Sequence, residues 1–180
     1  MKKLFAAIFC ICLCFSLNAL SLNMPYMDTY TGGNFYHATS SNYLYYRTSF
    51  YVGMDINLLD VQISRFDFGF GATISEVQRS FVYGRSVLKG YISLGGYVFA
   101  NYNVSELFIL GLKTRLCISS IQPRKMDQFA SIDIELVPRF RFYSEHRLTY
   151  DLIVPFTYTY RKDGHNLRLA IGISMGFFGK

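Results

Sequence analysis

Apolar side chains recur at every second position through most of this chain, in long segments separated by turn residues. Successive side chains of a strand point to opposite faces, so this period gives each segment one oily and one polar face. No segment after Ser21 carries the three-and-four spacing of an amphipathic helix. None is an apolar run long enough to span a bilayer as a helix. The pattern therefore predicts an all-β chain.

Seven segments are strong strands. Tyr43 to Leu58 sets Leu44, Tyr46, Phe50, Val52, Met54 and Ile56 against Tyr45, Arg47, Ser49, Tyr51, Gly53 and Asp55. The same scheme returns over Arg65 to Glu76, Leu88 to Tyr102, Glu106 to Ser120, Gln128 to Tyr143, Arg147 to Arg161 and Asn166 to Phe178. Met27 to Ala38 is weaker, with Gly32 and Gly33 at its middle. Bacterial single-chain barrels have an even strand number, and that parity makes this segment the eighth. Asp163-Gly164 is a hairpin signal. Asn103-Val104-Ser105 and Ser144-Glu145-His146 are short turns, and Gln78 to Ser86 and Ile121 to Asp127 are longer connections. The turns near Leu59 to Ser64, Val104 and Glu145 are expected at the periplasmic end. The loops near Ser40, Val82, Arg124 and Asp163 are expected outside. Pro138 and Pro155 fall inside strands, where each removes a ladder hydrogen bond, so a bulge or distorted pair is expected at each.

Alternation alone does not say which face meets the core, and here composition decides. Charged residues make up 17% of the chain and aromatic residues 18%, against roughly 25% charged in average proteins. A soluble barrel turns its oily face inward and needs a charged exterior. These polar faces are instead mostly Gly, Ser, Thr and Tyr. Eight strands enclose an interior that side chains just fill. Stacked rings such as Phe66, Phe68 and Phe70 suit lipid better than that interior. Phe142, Tyr158, Tyr160 and Phe177, near strand ends, suit interfacial girdles. The expected architecture is an antiparallel up-and-down transmembrane β-barrel of about eight strands.

The N-terminus reads as an export signal, with Lys2 and Lys3 before an apolar run from Leu4 to Leu17 and a small-residue site at Asn18-Ala19-Leu20-Ser21. Cleavage after Ser21 or after Ala19 fits. A membrane anchor and a lipoprotein signal at Cys10, Cys12 or Cys14 are the alternatives. The expected division is 1–21 as signal and 22–180 as barrel, placed in the bacterial outer membrane. Cys117 then remains alone, so no internal disulfide is expected. The formal charge of +6 falls to +4 without Lys2 and Lys3. That balance does not argue for a nucleic-acid partner.

The last strand carries the one motif-like piece. Ala170, Gly172, Met175 and Phe177 match the spacing of C-terminal outer-membrane assembly signals, polar-x-Gly-x-x-apolar-x-aromatic. Ala170 stands where a polar residue is usual, and Gly179-Lys180 follow the terminal Phe178. With this strand and its alternation, the chain resembles the small outer-membrane β-barrel families of the OmpX and OmpW kind. The resemblance implies the outer-membrane lipid bilayer as surroundings and the barrel-assembly machinery as a partner during insertion.

Inside such a barrel the polar faces would carry Arg47, Asp55, Arg65, Asp67, Lys89, Lys113, Arg115, Asp133, Glu135, Arg139, Arg141 and Asp151. Lone ions in a narrow lumen are costly, so partners are expected. A symmetric hairpin at Glu145 pairs Arg139 with Asp151. A loop centred on Arg124 pairs Lys113 with Glu135 and Arg115 with Asp133. This ladder is expected to plug the lumen, with a narrow solute path as the alternative. Arg79, Arg85, Arg124, Lys125, Arg161 and Lys162 form a candidate basic rim for an unidentified extracellular ligand, or a solvated set of loop charges. His37 and His165, near Ser40, Ser41 and Asp163, are the weak basis for a lipid-modifying enzyme, and His146 is weaker. No catalytic, cofactor or metal site is assigned: no metal spacing and no phosphate loop is present. The expected role is structural or surface interaction, with a narrow porin-like channel second and an enzyme third.

Overall fold

The computed structural model describes residues 21–23, 26–38, 46–77, 80–82, 85–88, 90–121, 128–145, 148–161 and 164–177. Their regular structure is entirely β. Eight barrel strands follow in chain order: β1 (Tyr26–Ala38), β2 (Tyr46–Ile63), β3 (Phe66–Val77), β4 (Tyr91–Asn103), β5 (Phe108–Ile121), β6 (Gln128–Glu145), β7 (Leu148–Ile153 and Phe156–Arg161) and β8 (Gly164–Phe177). Each pairs antiparallel with the next, and β8 closes on β1 along Gly164↔Ala38 to Gly176↔Tyr26. The weak segment at Gly32 and Gly33 is thus the strand that closes the cylinder. Ser21–Asn23 pairs with Asp60–Gln62 and continues the line of β1 along β2. Ser80–Val82 and Arg85–Leu88 form a small separate hairpin between β3 and β4.

The strand ends differ from the sequence reading where a bulge intervenes. β2 runs on to Ile63 because the register shifts between Asn57 and Leu59. One extra residue resets the alternation, so Leu58 and Leu59 both face outward and Asp60 is buried in the lumen. The turn shrinks to Ser64 and Arg65, with Ser64 in the left-handed region at φ 58°. The prolines bring no bulge. β7 is interrupted at Val154–Pro155, yet its pairing with β6 and β8 continues in phase across the gap. The Val154 amide donates to the Pro138 carbonyl and the Ala170 amide to the Pro155 carbonyl. Each proline lacks the return donor, so one bond is missing beside each while the register holds. The shift in β7 lies elsewhere, between Tyr150 and Asp151.

The faces are inverted relative to a soluble protein. Leu94, Val98, Leu112, Leu116, Ile132, Ile134, Leu167 and Ile171 are exposed, whereas Asp28, Asp55, Lys113, Arg115, Asp133, Glu135 and Arg139 are buried. Charge inside and bulky apolar side chains outside suit hydrocarbon surroundings and a closed ladder with no backbone edge. Rings gather outside the wall near the short turns: Phe66 with Tyr102 (4.9 Å), Phe108 with Phe140 (5.0 Å) and Tyr143 with Tyr150 (5.8 Å). Tyr158 and Tyr160 are exposed at the opposite end, as Phe142 is at the turn end. The Phe177 side chain lies outside the described residues. Among the described residues Cys117 is a free, buried cysteine.

Candidate functional site: the charged lumen

The lumen is built from large side chains facing small ones across neighbouring strands. Tyr30 stands opposite Gly53, and Tyr97 opposite Gly71. A Cβ on either glycine would fall within the tyrosine ring, so each ring lies flat over the backbone beside it. These rings then become platforms for cations. Lys113 Nζ lies 5.0 Å from the Tyr97 ring centre, the Arg115 guanidinium 5.6 Å from that of Tyr30, and Arg139 4.9 Å from that of Tyr26. Attraction to a ring face strengthens where water is excluded.

Between the rings runs a chain of alternating charge. Arg139 grips Asp28 with both terminal nitrogens, at 3.1 and 2.6 Å. Lys113 bridges Asp28 at 2.6 Å and Asp55 at 2.8 Å. Arg115 takes Asp55 at 2.6 Å and Glu135 at 2.8 Å. Thr157 donates to Glu135 at 2.6 Å and Tyr30 to Asp55 at 3.1 Å. The sequence of signs is Arg139, Asp28, Lys113, Asp55, Arg115, Glu135. Its members come from β6, β1, β5 and β2. Strands β1 and β5 are half the circumference apart, so these bonds cross the lumen rather than follow its wall. Lys113, Asp28, Asp55 and Glu135 are each at most 1% exposed. Moving such ions out of water is costly, and well-placed partners offset the cost.

Two further pairs flank this chain. Arg168 bonds Asp133 at 3.3 Å, Asn34 at 3.1 Å and Tyr91 at 3.2 Å. Arg141 bonds Asp151 at 3.0 Å nearer the short turns, with the arginine side chain 30% exposed.

The positions expected from sequence divide as follows. Lys113 is the register partner of Glu135, and Arg115 of Asp133. Their ion pairs run diagonally or across the barrel instead, because side chains as long as Arg and Lys reach past the residue directly opposite. The pairing of Arg139 with Asp151 is corrected. Arg139 is opposite Ile153 and Asp151 opposite Arg141, since the hairpin pairs Leu148 with Glu145 and so turns beyond Glu145, and the irregularity at Tyr150/Asp151 takes back only one residue of that offset. Arg65 lies exposed in its turn rather than in the lumen. Arg161 is no rim residue: it ends β7 buried, 5.3 Å over the Tyr91 ring. Arg85 opens a strand of the small hairpin, opposite Val82. Arg79, Arg124, Lys125 and Lys162 lie outside the described residues, as do Lys89, Ser40, Ser41, Asp163 and His146. The side chains of Arg47 and His37 do as well. His165 contacts Tyr158, with Tyr158 Oη and His165 Nδ1 2.6 Å apart on the exposed side. Gly172 and Met175 lie in β8, and Gly172 packs against the β1 backbone at Thr29 and Tyr30.

Asp28 and Arg168 were not among the inward charges read from sequence, yet Asp28 holds two cations. Parity carries the signal for both: Asp28 shares a face with Tyr30 in the weak strand, and Arg168 with Ala170 in the last. No group of three or more metal-ligating side chains occurs among the described residues.

No family model matches the chain, and no curated protein matches it. Solved structures do. Neisserial surface protein A is 12% identical, with 87% of this chain and 99% of that one covered and a TM-score of 0.59. The attachment invasion locus protein Ail of Yersinia pestis is 12% identical over 84% of this chain and 98% of its own, with a TM-score of 0.46. Ail in complex with the heparin analogue sucrose octasulfate is 13% identical over 85% and 99%, with a TM-score of 0.42. Closed eight-strand pairing, inverted faces and the likeness to Neisserial surface protein A give one conclusion: the chain has the fold of the small eight-stranded outer-membrane β-barrels.

Proposed function

We propose that this protein is a rigid outer-membrane barrel with a structural or surface-interaction role, its lumen closed by its own side chains. The observation that carries this reading is the unbroken chain from Arg139 to Glu135, which links strands on opposite sides of the cylinder. Its charges alternate, so it attracts itself closed and offers a passing ion no unpaired counter-charge. Recognition then falls to the connections at the end opposite the short turns of β2–β3, β4–β5 and β6–β7, including those that carry Arg79, Arg124, Lys125 and Lys162. The end bearing the short turns is assigned to the periplasm. Residues 1–21, or 1–19 where Ser21 keeps its pairing with Gln62, are assigned as the export signal, and the barrel-assembly machinery as the partner that reads the β8 end with Gly172, Met175 and Phe177.

One observation favours a narrow solute path instead. Buried polar atoms without a hydrogen-bond partner occur at several levels of the lumen, among them Asn57 Nδ2, Asn101 Oδ1, Arg115 Nε and Arg139 Nε. Such atoms are usually satisfied, often by water. Planar-bilayer recording separates the two readings. A closed plug gives no discrete openings. Openings whose size changes in Lys113→Ala or Glu135→Ala would sink the plug and establish transport. Of the two histidines behind the enzyme reading, His37 and His165, the second is engaged with Tyr158. Incubation with labelled phospholipid tests it, and turnover lost in His165→Ala would revive it.

A further inference from the structure

Beyond the alternating chain, toward the long connections, lies a second buried polar group that the plug does not use. Arg161 and Arg168 both converge on Tyr91. The Arg168 Nη2 donates to Tyr91 Oη at 3.2 Å, and the Arg161 guanidinium lies 5.3 Å from the ring centre. Arg168 also stands 5.4 Å over the ring of Tyr51. The strand register gathers the rest. Thr159 is opposite both Asp133 and Asn166, Thr157 is opposite Arg168, and Arg161 is the next lumen-facing position outward. Asn166 donates to Tyr91 at 3.1 Å.

Two atoms of this group face the lumen without a protein partner. The Thr159 hydroxyl has none, nor has Asn166 Oδ1, and both residues are at most 1% exposed. A buried hydroxyl left unmade costs its full desolvation. Two guanidiniums drawn to one ring also gather several N–H donors at one place. An oxyanion accepts from hydroxyls and guanidiniums together.

We propose that the outer mouth of the lumen binds a phosphate group. Guanidinium forks and hydroxyl donors match its oxygens. Asn166 Oδ1 then accepts the remaining proton of a hydrogenphosphate, which sulfate lacks at neutral pH. The group is a free ion or the terminal phosphomonoester of a larger soluble ligand. Phosphates of the surrounding bilayer lie outside the wall, while these side chains face inward. The site stands apart from the closed-lumen reading, since conductance does not bear on it.

The test is titration calorimetry on the full folded protein in detergent, without lipid, at fixed ionic strength. The probes are inorganic phosphate, glucose 6-phosphate, sulfate and chloride. Saturable phosphate binding is expected, weakened about tenfold or more in Arg161→Gln and in the near-isosteric Thr159→Val. Arg141→Gln, at the other end of the lumen, keeps the wild-type affinity. Near-UV circular dichroism confirms that each variant is folded, and Thr159→Val stands in if Arg161→Gln is not. Tighter binding of phosphate alone identifies a free ion; binding of glucose 6-phosphate at least as tight identifies a terminal phosphomonoester. Heat no greater than with chloride overturns the proposal. So does affinity kept in both variants, or sulfate bound as tightly as phosphate.

Discussion

On β5 the side chains of Lys113 and Arg115 are buried among carboxylates, while Leu112 and Leu116, one residue to either side, are more than half exposed. The same few residues of backbone thus serve two solvents. On the inner side stability comes from mutual neutralisation, where removing one member strands its neighbours. On the outer side it comes from the absence of charge, and any large apolar side chain serves. The inner face is therefore specific residue by residue, and the outer face is specified only as a class.

The sharpest way to break this contrast is to remove an anion that holds two cations. Asp28→Ala leaves Lys113 and Arg139 short of a partner and is expected to cost about 3–5 kcal/mol. Guanidinium unfolding in phospholipid bilayers reads the loss. A cost below that of an outer-face Leu→Ala change would show that the network is not the stabilising element. Next comes the reverse intrusion: Leu116→Arg, near the middle of β5, places a charge against lipid at about 2–4 kcal/mol. The same unfolding assay checks it, and Leu116→Ile should change little. A smaller effect tests the packing under the network. Gly71→Ala sets a Cβ into the Tyr97 ring and the Ile56 carbonyl, an overpacking expected to cost about 1–3 kcal/mol. Tyr97→Ala in the same chain should recover part of it. The smallest is Arg141→Ala, which removes the partly exposed pair with Asp151 and should cost about 0–1 kcal/mol. A loss as large as that of Asp28→Ala would place this end of the lumen in the same closed network.

Tyrosine and glycine explain why the network stands where it does. Tyr30 and Tyr97 lie flat because Gly53 and Gly71 face them, and the space above those rings is what Lys113 and Arg115 occupy. Small residues alternating on the polar faces are legible in the sequence, but which ring lies over which glycine is not. That depends on the register of separate strands. The register itself was half legible. Symmetric turns placed Lys113 across from Glu135, but the β6–β7 hairpin pairs Leu148 with Glu145 and so turns beyond Glu145, which with the irregularity at Tyr150/Asp151 puts Asp151 across from Arg141, and no residue type there announces it.

The alternation of side chains, by itself, determined strands with one oily and one polar face, because period two is a property of each strand alone and survives any arrangement of its neighbours; the low share of charge turned the oily face outward, and the even strand number of barrels made the strands eight. Only the tertiary structure decided the partners of the charges. Lys113 meets Asp28 and Asp55 across the lumen, from strands far apart in the chain, and Arg161 turns inward rather than to a rim. Closure fixes these contacts: curling the sheet brings opposite walls within reach of a lysine or arginine side chain, a distance that no local pattern encodes.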